Sequence, residues 1–82
     1  MLEKHDLHHE FPEFEQQIHH LKMSDGHFAR LFKRYHELDH EVHRIESGVE
    51  STADEYLEKQ KLARLHLKDE LFTMLKNAKL PA

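Results

Sequence analysis

His36-Glu37-Leu38-Asp39-His40 has the H-E-x-x-H spacing, and His43 follows three residues later. On a helix, two histidines four residues apart share one face and can chelate Zn²⁺, with Glu37 between them placed as general base toward a metal-bound water. Hydrolysis by that route also needs a third protein ligand and an enclosing cleft. His43 lies too close to His40 to serve as the distant third histidine, and no glycine turns the chain between them. Glu58 falls near the level of Glu41 across a hairpin and could approach a metal, but it supplies no cleft. With ten histidines and eleven glutamates in 82 residues, the pattern arises by chance in roughly one such sequence in six, a product of residue frequencies. We therefore expect no enzyme activity and read Glu37 as facing water.

Metal binding without catalysis is the alternative reading. His36, His40 and His43 fall within about 60° of one another on a helix surface, so they could hold Zn²⁺, Ni²⁺ or Cu²⁺. The pairs His8-His9 and His19-His20 point apart on a helix and are weaker candidates. Protonating all ten histidines would carry the formal charge from −4 to +6, centred on the ordinary imidazole pKa of ~6.5. A metal-binding or pH-responsive module is thus the alternative function.

Other chemistries lack their residues. There is no cysteine, which excludes disulfides and thiolate metal sites. No glycine-rich phosphate loop and no Ser/His/Asp constellation is present, and no cofactor is expected. Twelve basic and sixteen acidic residues are mixed along the chain, so Arg30, Lys33 and Arg34 read as a solvated face and not as a nucleic-acid patch. No apolar run approaches the ~20 residues that span a bilayer, and "MLEKHDLHHEF" lacks the apolar core of a signal peptide. No membrane contact and a cytoplasmic location are expected.

The elements that must position these side chains are helical. With 34% charged residues, two glycines and two prolines, the composition is that of long helices, and all-α is the expected class. Residues 1–10 are polar without a strong period and read as a flexible arm. Pro12 suits a first helical position, Glu13 and Glu15 suit the positive end of the dipole, and Phe11, Phe14, Ile18 and Leu21 recur at spacings of three and four. A short helix over about 12–23 follows.

"SDG" at 24–26 interrupts it, as a bend or as a full stop, with Ser24 or Asp25 able to cap a new helix. Phe28, Leu31, Tyr35, Leu38, Val42, Ile45 and Val49 then form a heptad seam, widened by Phe32, on a helix over about 26–47. Gly48 sits where a left-handed residue closes that helix, and Thr52-Ala53-Asp54-Glu55 reads as a capping box opening another over about 53–77. Pro81 cannot continue it.

A connection of about five residues makes the two long helices antiparallel. Residues whose numbers sum to about 99 lie at one level, as Val42 with Leu57, Phe32 with Leu67 and Phe28 with Leu71. Asp39 and Arg64 both lie near the apolar stripe at neighbouring levels, so an interhelical ion pair is expected, helped by Gln60 or Tyr35, that fixes register more than it adds stability. On the last helix Tyr56, Leu57, Ala63, Leu65, Leu67, Leu71, Phe72, Met74 and Leu75 spread over roughly 200°, more than one helix covers. The first helix folding back, a second copy of the chain, or both must cover the rest.

Three stretches, "FPEFEQQIHHLK", "DGHFARLFKRYHELDHEVHRIESG" and "KLARLHLKDELFTML", resemble the YdcH-like family of small bacterial proteins over residues 11–75. "YHELDHEVHRIE" is similar to the family's aromatic/His-x-Leu-Asp-x-Glu-Ile pattern, matched by Tyr35, His36, Leu38, Asp39, Glu41, Val42 and Ile45. "LHLKDEL" is similar to its Leu-x-Leu-Lys-Asp-Glu run. The resemblance implies a self-associating helical hairpin in a bacterial cytoplasm and supplies no enzyme activity.

The chain is accordingly read as one domain, residues 1–82: an antiparallel hairpin of two long helices behind a short one, assembled into an oligomeric bundle, with room for a further protein partner. Its function is read as interaction. The expected packing residues are Phe28, Leu31, Phe32, Tyr35, Leu38, Val42 and Ile45 against Leu57, Leu67, Leu71, Met74 and Leu75.

Overall fold

The computed structural model describes residues 6–80, and every regular element among them is helical. The long helices are α3, Gly26–Glu46, and α4, Asp54–Asn77, which pack antiparallel as a hairpin. Before them come α1, Leu7–Glu10, a single 3-10 turn at Pro12–Phe14, and α2, Glu15–Ser24. The molecule measures 48 × 23 × 17 Å, and the 24 residues of α4, at ~1.5 Å each, span about 36 Å of its length.

Local chemistry explains the breaks. Asp25 takes an extended conformation (φ −129°, ψ 107°), and its Oδ1 accepts from the N–H groups of His27 at 2.9 Å and Phe28 at 3.1 Å. Two amides that α3 cannot satisfy internally are thereby bonded. The interruption at 24–26 is therefore a full stop. At the other end Gly48 has φ +83°, its N–H bonds to the Ile45 carbonyl at 3.2 Å and the Val49 N–H to the Arg44 carbonyl at 3.0 Å. This is the Schellman closure, and a residue with a Cβ there would face a penalty of about 1–2 kcal/mol. Val49 stands beyond the helix and is exposed, so the seam ends at Ile45.

The capping box does not form. α4 begins at Asp54, so its cap position falls on Ala53, whose side chain offers no oxygen, and Thr52 is exposed outside the helix. Asp54 and Glu55 in the first turn still place negative charge at the positive end of the dipole.

The main core lies at the end of the hairpin remote from the turn. Leu7, Ile18, Phe28, Tyr35, Leu71 and Leu75 are buried together, with Phe11, Phe14, Leu21, Leu31, Phe32, Leu67 and Met74 partly buried against them. Leu38 and Val42 are buried nearer the turn, and Leu57 and Ile45 are half-buried there. The N-terminal segment thus folds back onto α4: Phe11 stacks on Phe72 with ring centroids 5.0 Å apart, and Phe14 meets the same ring edge-on at 5.9 Å. Glu10 reaches Lys68 at 3.7 Å.

Residues 7–10 differ from the arm read in the sequence. Leu7 has 0% exposure, and Asp6 caps its turn by accepting from the His9 N–H at 2.8 Å. Leu7 stands four residues before Phe11, so it extends the apolar spacing that continues through Phe14 and Ile18. Residues 1–5 of that arm, His5 among them, and Pro81 lie outside the described residues. No helix among the described residues is long and apolar enough to cross a membrane.

Candidate functional site

The histidine-bearing face of α3 borders a cleft closed on its other side by the N-terminal segment, where Asp6, His8 and Lys22 meet Phe32, His36 and His40. Helical spacing puts 32, 36, 40 and 43 on this side of α3, and the docking of Leu7 in the core brings Asp6 and His8 over it.

His36 is the best-defined group in the cleft. Its Nε2 accepts from the Leu7 backbone N–H at 3.2 Å, and its Nδ1 lies 2.9 Å from the Phe32 carbonyl oxygen. An acceptor at Nε2 and a carbonyl facing Nδ1 together assign the neutral tautomer protonated at Nδ1. Its ring also packs on Phe32, with centroids 4.3 Å apart, and edge-on to Tyr35 at 5.3 Å. Lys22 places its ammonium 4.5 Å over the other partner of this stack, the Phe32 ring.

The three candidate metal ligands are not brought together as ligands. Both ring nitrogens of His36 are engaged, His40 is exposed and His43 is half-buried. Among the described residues no group of three His, Cys, Asp or Glu side chains could hold a metal ion. Chelation by His36 would require its Nε2 to give up the amide of Leu7. Glu37 is exposed on the same helix.

Two polar clusters tie α3 to α4. Arg64 Nη1 donates to Asp39 Oδ1 at 2.9 Å, so the structure brings together the interhelical pair read from the heptad levels, one turn from the simplest register. Gln60 is not its helper. Gln60 Nε2 instead donates to Glu41 Oε1 at 2.7 Å, while the Tyr56 hydroxyl donates to Glu41 Oε2 at 2.8 Å. Nothing in an apolar period points to this clamp, because it is made by the tips of side chains on the flank of the seam.

The charges respond to these contacts. Hydrogen bonds from Gln60 and then Tyr56 hold the Glu41 carboxyl below its ordinary value, and the same bond raises the Tyr56 hydroxyl. Burial, followed by the nearby charges of Asp39 and Glu10, pushes the Tyr35 hydroxyl far up, so it stays neutral. For Asp6, burial pushes the carboxyl up, but the hydrogen bonds from the His9 N–H and ring, aided by the electrostatic influence of the neighbouring His9 and His36 imidazoles, outweigh it and leave a net lowering.

The family described as "Protein of unknown function (DUF465)" matches residues 28–75, the span from the first core residue of α3 to the last of α4. The chain is 34% identical over 65 residues to "Uncharacterized protein YdcH" of Escherichia coli (strain K12), covering 79% of this chain and 88% of that protein. It shows the same identity and coverage with the protein of that description from Shigella flexneri. No solved structure matches it. The matched span covers nearly all of the hairpin, with its closing glycine and the Asp39–Arg64 pair, and by the family match and the 34% identity the chain belongs to the YdcH-like DUF465 family of small uncharacterized bacterial proteins.

Proposed function

We propose that this protein works by association and not by catalysis: a cytoplasmic helical hairpin that docks α4 against a second copy of itself. The observation that carries the reading is the exposure of Leu62 and Leu65, at 54% and 46%. Leu65 stands on the strip of α4 that continues to Phe72, two turns on, and Leu62 lies about 60° round the helix from Leu65. Phe11 and Phe14 cover that strip at Phe72, and the N-terminal segment ends its coverage near Lys68, where Glu10 is anchored.

One strip is therefore half covered within the chain, and its remaining leucines are those a partner would bury. Burying each leucine contributes about 1.5–3 kcal/mol, and a two-fold interface uses each of them twice. A chain of 82 residues also buries a smaller fraction of its surface than a larger domain does, which favours assembly. Sedimentation equilibrium at micromolar concentration tests this: the wild type is expected at twice the chain mass or more, and Leu62→Glu with Leu65→Glu at the mass of one chain. A wild type that stays monomeric overturns it.

A further inference from the structure

We propose that His36 is a proton-operated latch: as a neutral imidazole it holds α1 on the body of the protein, and as an imidazolium it releases it. The geometry is specific. Nδ1 is committed to the Phe32 carbonyl at 2.9 Å, so the only lone pair left on the ring is at Nε2, and that lone pair accepts the Leu7 N–H at 3.2 Å. A proton from solvent can add only at Nε2. It would then set an N–H against an N–H, replacing a hydrogen bond with a contact between two donors.

The amide affected is the one belonging to the buried Leu7. Its loss leaves a backbone donor unsatisfied away from water, a cost comparable to the gain from burying one leucine. The segment from Asp6 to Phe11 is the part at stake. Phe14 and Ile18 follow on a separate turn and helix with contacts of their own, so α2 stays docked.

The charges around the ring decide the direction further. From the N-terminal segment Asp6 faces it and attracts an imidazolium, but that carboxylate already accepts from the His9 N–H at 2.8 Å and lies 2.9 Å from its ring. On α3, Asp39 is paired with Arg64 and Glu37 is exposed. Against these stand Lys22 from α2, His8 from α1, and His40, His43 and Arg44 from α3 itself. Each proton that an imidazole takes up as pH falls through about 8 to 5 adds to the positive side of the cleft. Repulsion in the cleft therefore grows with the same variable that breaks the Leu7 bond. This latch rests on residues other than those of the Leu62–Leu65 strip and does not depend on it.

Amide hydrogen exchange followed by NMR on the full chain tests the latch. Between pH 7.5 and 5.5 the protection factor of the Leu7 amide is expected to fall about ten-fold or more, the change that a buried amide donor left unsatisfied represents, while that of Leu71 holds. In His36→Gln, which takes up no proton, the Leu7 amide should lose this pH dependence, and in His40→Gln it should keep it. Equal Leu7 protection at the two pH values, or the same fall in His36→Gln, overturns the proposal. The imidazole nitrogen shifts of the wild type at pH 8 give a second reading that needs no variant: protonation at Nδ1 is expected, and protonation at Nε2 rules the latch out.

Discussion

Arg64 Nη1 meets Asp39 Oδ1 at 2.9 Å across the hairpin, and Asp39 retains only 5% of its exposure. A carboxylate removed from water to that extent depends on its partner, because its lost hydration is returned only by the guanidinium. The pair is consequently more effective at excluding other registers than at adding stability. A slip of α4 by one residue would turn Arg64 away and leave Asp39 buried and unpaired.

This asymmetry gives the first expectation. Arg64→Ala should destabilise the fold by about 3 kcal/mol, the low end for breaking a buried pair because the Arg64 side chain keeps some solvent contact. Asp39→Leu combined with Arg64→Leu should cost far less than the single change, since no charge is then stranded. Urea unfolding of the four members of a double-mutant cycle measures the coupling. A double variant as unstable as Arg64→Ala would show that the pair acts through packing alone.

The clamp on Glu41 predicts an acid dependence. Its carboxyl lies below the ordinary 4.5 in the folded protein, so the unfolded chain binds its proton first as pH falls. The stabilisation is fully present above about pH 4.5 and is lost as pH drops through the lower folded value. Tyr56→Phe with Gln60→Leu removes both donors and should bring the carboxyl back toward 4.5. The variant is expected to be less stable than the wild type at pH 6 and to approach it at pH 3. A stability gap that stays constant over that interval would assign the effect of these substitutions to something other than hydrogen bonding to the carboxylate.

What the residues alone reveal follows from how local the cause is. Gly48 and Asp25 are readable because a left-handed closure and an N-cap are decided within a few residues. Asp39 and Arg64 are readable because heptad levels fix which positions meet across a short turn. The Glu41 clamp is not, since it depends on how far Tyr56 and Gln60 reach. The bond on His36 is hidden for a different reason: its partner is a backbone N–H, a group every residue but proline carries, so no residue type announces it. The histidines looked like ligands because their spacing is the only property of them that a sequence displays.

Leu7 is the sharpest case, because a lone leucine between Asp6 and His8-His9-Glu10 makes no periodic signal over the first ten residues. In the folded chain it is fully buried beside Ile18, Phe28, Tyr35, Leu71 and Leu75. A flexible arm and a core segment predict different costs for Leu7→Ala. Truncation on an arm should change stability by less than about 0.5 kcal/mol, whereas truncation in this core removes buried methyl groups and leaves a cavity, for about 2–5 kcal/mol. The docked turn can withdraw at a smaller cost than the whole fold, since it is held by Leu7, Phe11, the Glu10–Lys68 contact and the bond from the Leu7 N–H to His36, which places the expected loss near 2 kcal/mol. Urea unfolding at neutral pH measures it, and a loss below 0.5 kcal/mol would return residues 7–10 to the role of an arm.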